Sequence, residues 1–219
     1  MPPDTYQAGD RRPIAARRWG VMNWLTSLLV GAGVSANGIS IAGMVCGLLA
    51  GICLWQTDSA TSLVVRFLWL IASGLILLRL LANLLDGMVA IASGTASPLG
   101  EIFNEGPDRV SDAAVLVGLG YAAGGVAWLG WLAALLAVFT AYVRLLGKSA
   151  GAPSEFGGPM AKQQRMFSVT IISVVSAAAP QWARAQKLPA IVLGVICAGC
   201  AVTIWRRLGR IAGNLRSKT

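Results

Sequence analysis

Long apolar runs, separated by short polar breaks, dominate the pattern of this chain. A helix that crosses a bilayer needs about 20 mostly apolar residues, and runs of roughly this length recur along most of the sequence. The pattern predicts six membrane-spanning helices, at about 39–56, 62–85, 109–123, 126–147, 166–182 and 188–206. We therefore expect an all-α integral membrane protein.

The third span has the weakest apolar pattern, because Asp108 and Asp112 lie at its start. Ionised side chains inside a membrane are costly unless they face the interior of the helix bundle or a water-filled cavity. If these two acids face such a cavity, the helix can begin earlier, near residue 98.

The segment before the first span, residues 15–33, begins with basic residues and continues as an apolar stretch with two tryptophans. This composition is typical of an amphipathic helix that lies in the membrane interface. Residues 1–14 are polar, so we expect them to form a tail. Since no apolar stretch follows the first residues directly, we expect no cleavable signal peptide. We expect one membrane domain over 15–210 and a second short tail over 211–219.

Composition and charge support the same class of protein. The chain is 56% hydrophobic and 12% charged, whereas soluble domains carry roughly 25% charged residues. The net charge of +9 is compatible with nucleic-acid binding, but the basic residues border the apolar runs. That distribution favours lipid headgroups and phosphorylated ligands, so we expect membrane lipids as partners and no nucleic acid.

The basic residues also predict an orientation, because the cytoplasmic ends of membrane spans are enriched in Lys and Arg. With six spans, the side opposite the termini receives only Arg184 and Lys187, with Arg66 ambiguous. The side of the termini receives Arg11, Arg12, Arg17, Arg18, Arg79, Arg109, Arg144, Lys148, Lys162, Arg165, Arg206, Arg207, Arg210, Arg216 and Lys218. We expect both termini on the cytoplasmic side of the membrane.

Cysteine and histidine usage narrows the chemistry. Cys197 and Cys200 have C-x-x-C spacing, but Cys46 and Cys53 form no second such pair, and the chain has no histidine. We interpret the cysteines as small packing residues rather than as a zinc or redox site. Without histidine, Ser-His triads and histidine metal sites are excluded, and any general base is a carboxylate, Lys, Tyr or Cys.

Five of the nine carboxylates fall between Asp86 and Asp112, which we call the acidic stretch. Two helical faces share its polar residues, since residues three, four and seven apart lie on one face. The first face holds Asn83, Asp86, Gly87 and Ala90, and the second holds Gly100, Asn104, Asp108 and Asp112. Glu101 and Glu105 adjoin the second face; for these two, simple solvation of a helix end stays an alternative.

Facing each other, these two surfaces would offer only carboxylate and amide oxygens. Hard divalent cations take such ligands, and Mg²⁺ completes its coordination with waters and substrate phosphates. A metal held between acids and beside a basic rim is the arrangement used for phosphoryl transfer. The sequence therefore predicts a site for Mg²⁺ or Mn²⁺ on the acidic stretch.

At these residues the chain resembles the CDP-alcohol phosphatidyltransferase family, whose signature is D-x2-D-G-x2-A-R-x8-G-x3-D-x3-D. The spacing is kept throughout, although Asn83 and Asn104 stand where the signature has Asp, and Ile91 stands where it has Arg. The pattern is similar to a bacterial subgroup of the YnbA type. The break at residues 36–40 also resembles the Pro-Asn-x-Ile-Thr segment common in the family.

The resemblance implies a six-span enzyme of the bacterial inner membrane with a cytoplasmic site, acting in phospholipid biosynthesis. A CDP-linked alcohol, usually CDP-diacylglycerol in bacteria, binds with its pyrophosphate on the metals; the acceptor hydroxyl attacks the β-phosphorus and CMP leaves. Asp108 is then the candidate general base. The implied metal ligands are Asn83, Asp86, Asn104 and Asp108. The implied nucleotide-binding residues are Asn37, Ser40, Asp86, Gly87, Ala90 and Gly100.

The basic rim is the candidate binding site for a polar or phosphorylated alcohol acceptor, because Arg and Lys bind phosphate. The residues concerned are Arg79, Arg109, Arg144, Lys148, Lys162 and Arg165. An anchoring role at the membrane surface is the alternative for the four residues that flank segment 151–159, namely Arg144, Lys148, Lys162 and Arg165. Arg79 either pairs with a site carboxylate or touches substrate. We interpret Arg206, Arg207 and Arg210 as lipid-facing anchors. For the whole protein we expect a homodimer.

The two asparagines weaken the expected metal site, since an amide supplies an oxygen without a charge. We expect weaker metal binding or a single tightly held ion, with Glu105 or Asp112 as candidates to compensate. Two alternative functions stay open: a non-catalytic relative of the family, and a small transporter with a cytoplasmic cation site. A transporter predicts polar residues through the depth of the bundle, and the other spans are almost purely aliphatic.

Overall fold

The computed structural model describes residues 19–217, and within this range the protein is built from helices without strands. The helices are α1 (Gly20–Gly31), α2 (Ala36–Gln56), α3 (Ser62–Ala92), α4 (Pro98–Tyr121), α5 (Ala127–Ser149), α6 (Lys162–Ala178), α7 (Pro180–Ala185) and α8 (Leu188–Arg216). The predicted all-α class is confirmed. The predicted tail over 1–14 lies outside the described residues, as do residues 15–18 of the predicted interfacial helix.

The start of α4 differs from the first prediction and agrees with the alternative. The helix begins at Pro98 and not at 109, because Ser97 caps it: the Ser97 hydroxyl accepts a hydrogen bond of 3.1 Å from the Gly100 N–H. A capping serine followed by proline is a strong start for a helix. The acids of the acidic stretch are therefore helical throughout.

Other boundaries also differ from those predicted: α3 continues past 85 to Ala92, and α6 begins at Lys162 rather than at 166. Helix α6 ends at Ala178 rather than at 182, because Pro180 lies at the start of the separate short helix α7, and a helix usually ends before a proline. Helix α8 continues past 206 to Arg216. Its basic final part therefore stays helical and packs on the rest of the bundle.

Within residues 19–217, four helices are long and apolar enough to cross a membrane by length and composition: α2, residues Leu63–Ala92 of α3, α5 and α8. Helix α6 has 17 residues, which is shorter than the roughly 20 that a span needs. Helix α4 carries five ionisable side chains between Glu101 and Asp112. The membrane class is thus supported by four of the six predicted spans.

Helices α2 and α4 form the closest contact in the bundle. A Cβ added to Gly51 would lie 2.4 Å from the Ala114 carbonyl oxygen, and one added to Gly118 would lie 2.3 Å from the Gly51 carbonyl oxygen. The two backbones therefore touch, as small residues allow in membrane bundles. This contact fixes α4, which carries most of the acidic stretch, against the second half of α2.

We expect Gly51→Ala to destabilise the protein by about 1–3 kcal/mol, because the added methyl group meets backbone atoms that cannot move aside. Gly74→Ala is the matched control, since a Cβ there meets nothing within 4 Å, and alanine has the higher helix propensity. The measurement is the thermal unfolding of both purified variants in detergent. Equal melting temperatures for the two would contradict the close α2–α4 packing.

Candidate active site

One end of the bundle encloses a cavity of about 580 Å³ between the helix ends that meet there. Its walls come from the starts of α2, α4 and α6 and the ends of α1, α3, α5 and α8. Most of the residues predicted for the site line it: Asn37, Ser40, Asn83, Asp86, Ala90, Gly100, Asn104, Asp108, Arg109, Arg144, Lys148, Lys162 and Arg165. Gly87 and Arg79 lie outside this lining.

The start of α2 positions the first carboxylate. Ser35 caps α2 by accepting a hydrogen bond of 3.1 Å from a backbone N–H of the first turn, which brings Asn37 and Ser40 to the cavity. The Ser40 hydroxyl donates a hydrogen bond of 2.8 Å to Asp86 Oδ2. The Gly87 N–H donates to Asp86 Oδ1, so the buried Asp86 carboxylate is held at both oxygens.

The two predicted faces meet at the cavity wall through Asn83. Its side-chain nitrogen Nδ2 donates to both carboxylate oxygens of Asp108, at 3.0 Å each, and to Asn104 Oδ1 at 3.1 Å. A residue from α3 therefore joins two residues that lie one turn apart on α4. The spacing of four that the sequence showed between Asn104 and Asp108 is the reason that one amide reaches both.

Asp108 also collects positive charge. Lys162, at the start of α6, forms an ion pair with Asp108 Oδ2, and Arg79 Nη2 lies 3.3 Å from Oδ1. The side chain of Asp108 retains 14% of its exposure, and that of Lys162 retains 16%. A partly shielded carboxylate that still opens on the cavity is suited to exchanging a proton with a bound ligand.

Behind the cavity wall, Asp112 forms a fully buried ion-pair cluster. Arg79 pairs with Asp112 Oδ1, and Arg165 Nη2 lies 3.2 Å from Asp112 Oδ2; all three side chains are at most 2% exposed. Arg79 also donates to the Ser111 hydroxyl at 2.9 Å. Of the two roles left open for Arg79, the structure shows the pairing with site carboxylates, at a depth that keeps this side chain away from the cavity.

Sequence reasoning placed Asp112 on the acidic face without finding these partners. The spacing could have predicted the Arg79–Asp112 pair, because Arg79 lies one turn before Asn83 and Asp112 lies one turn after Asp108. The pairs Asn83–Asp108 and Arg79–Asp112 are therefore neighbouring contacts between α3 and α4, one helical turn apart. The third member, Arg165, comes from α6 and had no such relation in sequence.

Glu105 is paired as well, and not simply solvated at a helix end. Arg109 Nη2 lies 2.8 Å from Glu105 Oε2, and Arg144 pairs with Oε1. Lys148 and Glu101 are 3.8 Å apart, and both are about half exposed. Glu105 and Asp112, the two candidates to compensate for the asparagines, are thus engaged by arginines.

The donor set available to a cation is therefore small. Within residues 19–217, no group of three or more His, Cys, Asp or Glu side chains is arranged to hold a metal ion. The cavity wall instead offers the carboxylates of Asp86 and Asp108 together with the amide oxygens of Asn83 and Asn104. These are all hard oxygen ligands, and they fit Mg²⁺ or Mn²⁺ better than a soft metal.

One interpretation from the sequence is wrong: Arg207 is not a lipid-facing anchor. Its side chain is buried and lines the cavity. It donates to the carbonyl of Thr140 at 2.6 Å, to that of Gly157 at 3.0 Å and to that of Phe156 at 3.1 Å. Arg207 therefore fastens the 150–161 loop between α5 and α6, which forms part of the cavity wall, to α8.

We expect Arg207→Met to speed cleavage at Glu155, inside this loop, by a glutamate-specific protease. The reason is that three loop or helix carbonyls lose a charged donor, and such hydrogen bonds contribute about 1.5–3 kcal/mol each. Arg206→Met is the matched control, because Arg206 is the exposed neighbour on the same helix. The rates of appearance of the two fragments on a gel give the comparison, and equal rates for both variants would contradict the anchoring role.

Comparison with known proteins decides the family. No family model matches the chain. Archaetidylinositol phosphate synthase of Aeropyrum pernix is 34% identical over 143 residues, which cover 65% of this chain and 70% of that protein. The chain belongs to the CDP-alcohol phosphatidyltransferase family. Inner membrane protein YnbA of Escherichia coli is 27% identical over 155 residues, 71% of this chain and 74% of that protein.

Solved structures agree on the fold of this family. A Mycobacterium tuberculosis phosphatidylinositol phosphate synthase with CDP-DAG bound superposes with a TM-score of 0.71 at 17% identity, covering 87% of this chain and 93% of the other. The same enzyme in complex with manganese and citrate gives a TM-score of 0.71 at 17% identity, covering 87% and 88%. The resemblance first drawn from the signature is therefore confirmed, and the expected Mg²⁺ or Mn²⁺ has a counterpart in a relative that holds manganese.

Proposed function

We propose that this protein transfers a substituted phosphate from a CDP-alcohol, CDP-diacylglycerol in the first place, to the hydroxyl of a polar alcohol, with release of CMP. The observation that carries the proposal is the contact between the two signature faces: the Asn83 side-chain amide donates hydrogen bonds to Asn104 and Asp108 at the cavity wall. The related synthase from Aeropyrum pernix and the mycobacterial synthase with CDP-DAG bound support the same class of reaction.

A divalent cation fits the oxygen donors of Asn83, Asp86, Asn104 and Asp108, and when bound it would neutralise the pyrophosphate of the donor. The protein's own side chains carry out the remaining steps. Asp108 accepts the proton of the acceptor hydroxyl as the new oxygen–phosphorus bond forms and the bond to CMP breaks. Ser40 and the Gly87 N–H keep the Asp86 carboxylate in place through their hydrogen bonds.

The nucleotide is proposed to lie where small residues leave room on α3 and α4. Ala90 and Gly100 line the cavity beside Asn37 and Ser40. A Cβ on Gly100 would meet only the Ser97 hydroxyl, at 3.4 Å, so this wall is open toward the cavity. Gly87 contributes through its N–H and not through a surface on the cavity.

The acceptor is proposed to lie toward α5 and α6, where the basic residues concentrate. Arg109, Arg144, Lys148, Lys162 and Arg165 line this side, whereas Arg79 acts from behind the wall. Lys148 is the cation most available to a new anion, because its side chain is 50% exposed and its partner Glu101 is 3.8 Å away. A phosphate or carboxylate on the acceptor can displace that long contact.

We further propose that α4 and α6 join the four apolar helices as spans, which gives six. In α4 the charged part faces the cavity, and the part after Asp112 is apolar. The basic residues at the cavity end support a cytoplasmic position for this end, in a bacterial inner membrane. The name of the Escherichia coli relative agrees with that membrane, and the homodimer stays a prediction.

The test is release of CMP by the purified protein in detergent with CDP-diacylglycerol and a panel of alcohols. We expect release with at least one acceptor, its loss after treatment with a chelator, and its return when Mn²⁺ or Mg²⁺ is added. An absence of CMP with every CDP-alcohol and acceptor, with Mn²⁺ present, would refute the transferase and favour a non-catalytic relative.

A further inference from the structure

We propose that the site holds a single divalent cation, at Asp86, and that the ammonium group of Lys162 acts as the fixed positive charge beside Asp108. This inference rests on the proposed function and concerns the same cavity. It assigns different partners to the two carboxylates of the cavity wall. Asp86 is the ligand of an exchangeable metal, and Asp108 is balanced by the protein itself.

The state of Asp86 supports the first part. Its side chain is buried, lines the cavity, and receives hydrogen bonds from the Ser40 hydroxyl and the Gly87 N–H, both of which are neutral donors. Among the ion pairs within residues 19–217, none includes Asp86. A buried carboxylate whose hydrogen bonds come from neutral donors is costly, so a cation from solution has its strongest reason to bind here.

The state of Asp108 is the opposite. Lys162 forms an ion pair with it, Arg79 lies 3.3 Å away, and Arg109 lies 3.9 Å away. A dication on the same carboxylate would come into direct contact with the Lys162 ammonium. Like charges at that distance repel strongly in a partly buried site. A second metal ion therefore has to displace Lys162 before it can bind Asp108.

The Asn83 amide removes a further reason for a second ion. Its Nδ2 donates to both oxygens of Asp108 and to Asn104 Oδ1, so it bridges the two α4 residues with N–H groups. A carboxylate at position 83 would repel Asp108 at this separation and would need a cation between them. Because the Asn83 nitrogen is used in these hydrogen bonds, only the side-chain oxygen of Asn83 can serve as a ligand for a metal at Asp86.

The arrangement has a consequence for the reaction. In two-metal sites the second ion supplies positive charge on the far side of the transferred group. Here Lys162 is tethered to α6 and supplies one unit of charge without exchanging with solvent. The positive charge beside Asp108 then does not depend on the metal concentration, whereas the positive charge beside Asp86 increases as the metal binds.

The test counts Mn²⁺ bound to the full-length, metal-stripped protein in detergent, by equilibrium dialysis with electron paramagnetic resonance. We expect one ion per wild-type chain, with a spectrum free of coupling between ions, and none in Asp86→Asn. Lys162→Met removes the ammonium group that a second ion has to displace at Asp108, so we expect the count to rise from one ion to two. Lys148→Met is the matched control, a lysine of the same cavity that is not paired with Asp108, and it keeps one ion.

Two coupled ions per wild-type chain, or an unchanged count of one in Lys162→Met, would overturn the proposal. The wild-type count does not depend on the folding of any variant. A parallel assay of CMP release separates this inference from the proposed function. Two ions with CMP release refute the single-ion site and leave the transferase standing. One ion without CMP release from any CDP-alcohol supports the single-ion site and refutes the transferase.

Discussion

Asp108→Asn is expected to lower the rate of CMP release by about 10²–10⁴-fold, the range usual for loss of a general base. The amide cannot accept the proton of the acceptor hydroxyl. The variant also leaves Lys162 and Arg79 facing a neutral group, so the positive charge beside the acceptor is no longer balanced. Asp108 is the carboxylate at which both effects meet, which is why the loss is expected to be large.

The measurement is the initial rate of CMP release at saturating donor and acceptor, compared with that of Asp58→Asn. Asp58 is the matched control: it forms an exposed pair with Arg184 at 3.2 Å, just beyond the end of α2 that lies away from the cavity. We expect the control to keep the wild-type rate. A wild-type rate in Asp108→Asn, with a normal elution profile, would remove Asp108 from the proton transfer.

Asp112→Asn is expected to destabilise the protein by about 3–5 kcal/mol, the cost usual for breaking a buried ion pair on one side. The variant leaves the guanidinium groups of Arg79 and Arg165 buried without their shared carboxylate. These arginines belong to α3 and α6, and Asp112 belongs to α4. The variant therefore weakens the contact among α3, α4 and α6, the three helices that build this part of the cavity wall.

Glu105→Gln is the matched control for this prediction. Glu105 is also a carboxylate between two arginines, but its side chain is 35% exposed, so water can replace the lost contacts. We expect a much smaller fall in the unfolding temperature, measured by tryptophan fluorescence in detergent. A fall in Asp112→Asn no larger than that in Glu105→Gln would mean that the buried cluster contributes little to stability.

Much of the site could be predicted because helical periodicity is local. Residues three and four apart share a face whatever surrounds the helix, so the two faces that carry Asn83 and Asp108 followed from spacing alone. The start of α4 does not follow from spacing, because charged residues argue against a membrane span. A bundle that encloses those residues in a cavity removes that objection, and the helix begins at Pro98.

Arg207 shows where such reasoning fails. Three arginines near the end of an apolar run are typical of a membrane anchor, and Arg206 is indeed exposed. Arg207 lies one position further round the helix, on the side that α8 turns toward α5 and the 150–161 loop. The carbonyls that it binds, at Thr140, Phe156 and Gly157, are 50 or more positions away in the chain, and no local pattern marks them.

The sequence by itself determined the all-α membrane class, the two polar faces and the replacement of two carboxylates by amides. Only the tertiary structure decided which acid each base neutralises: Lys162 with Asp108, Arg165 with Asp112, and Arg144 with Glu105. The physical reason is that charge pairing acts over a few ångströms in space. Partners on α4, α5 and α6 come within that range only when the helices pack, and this packing leaves Asp86 as the one acid of the cavity wall, among residues 19–217, without a basic partner.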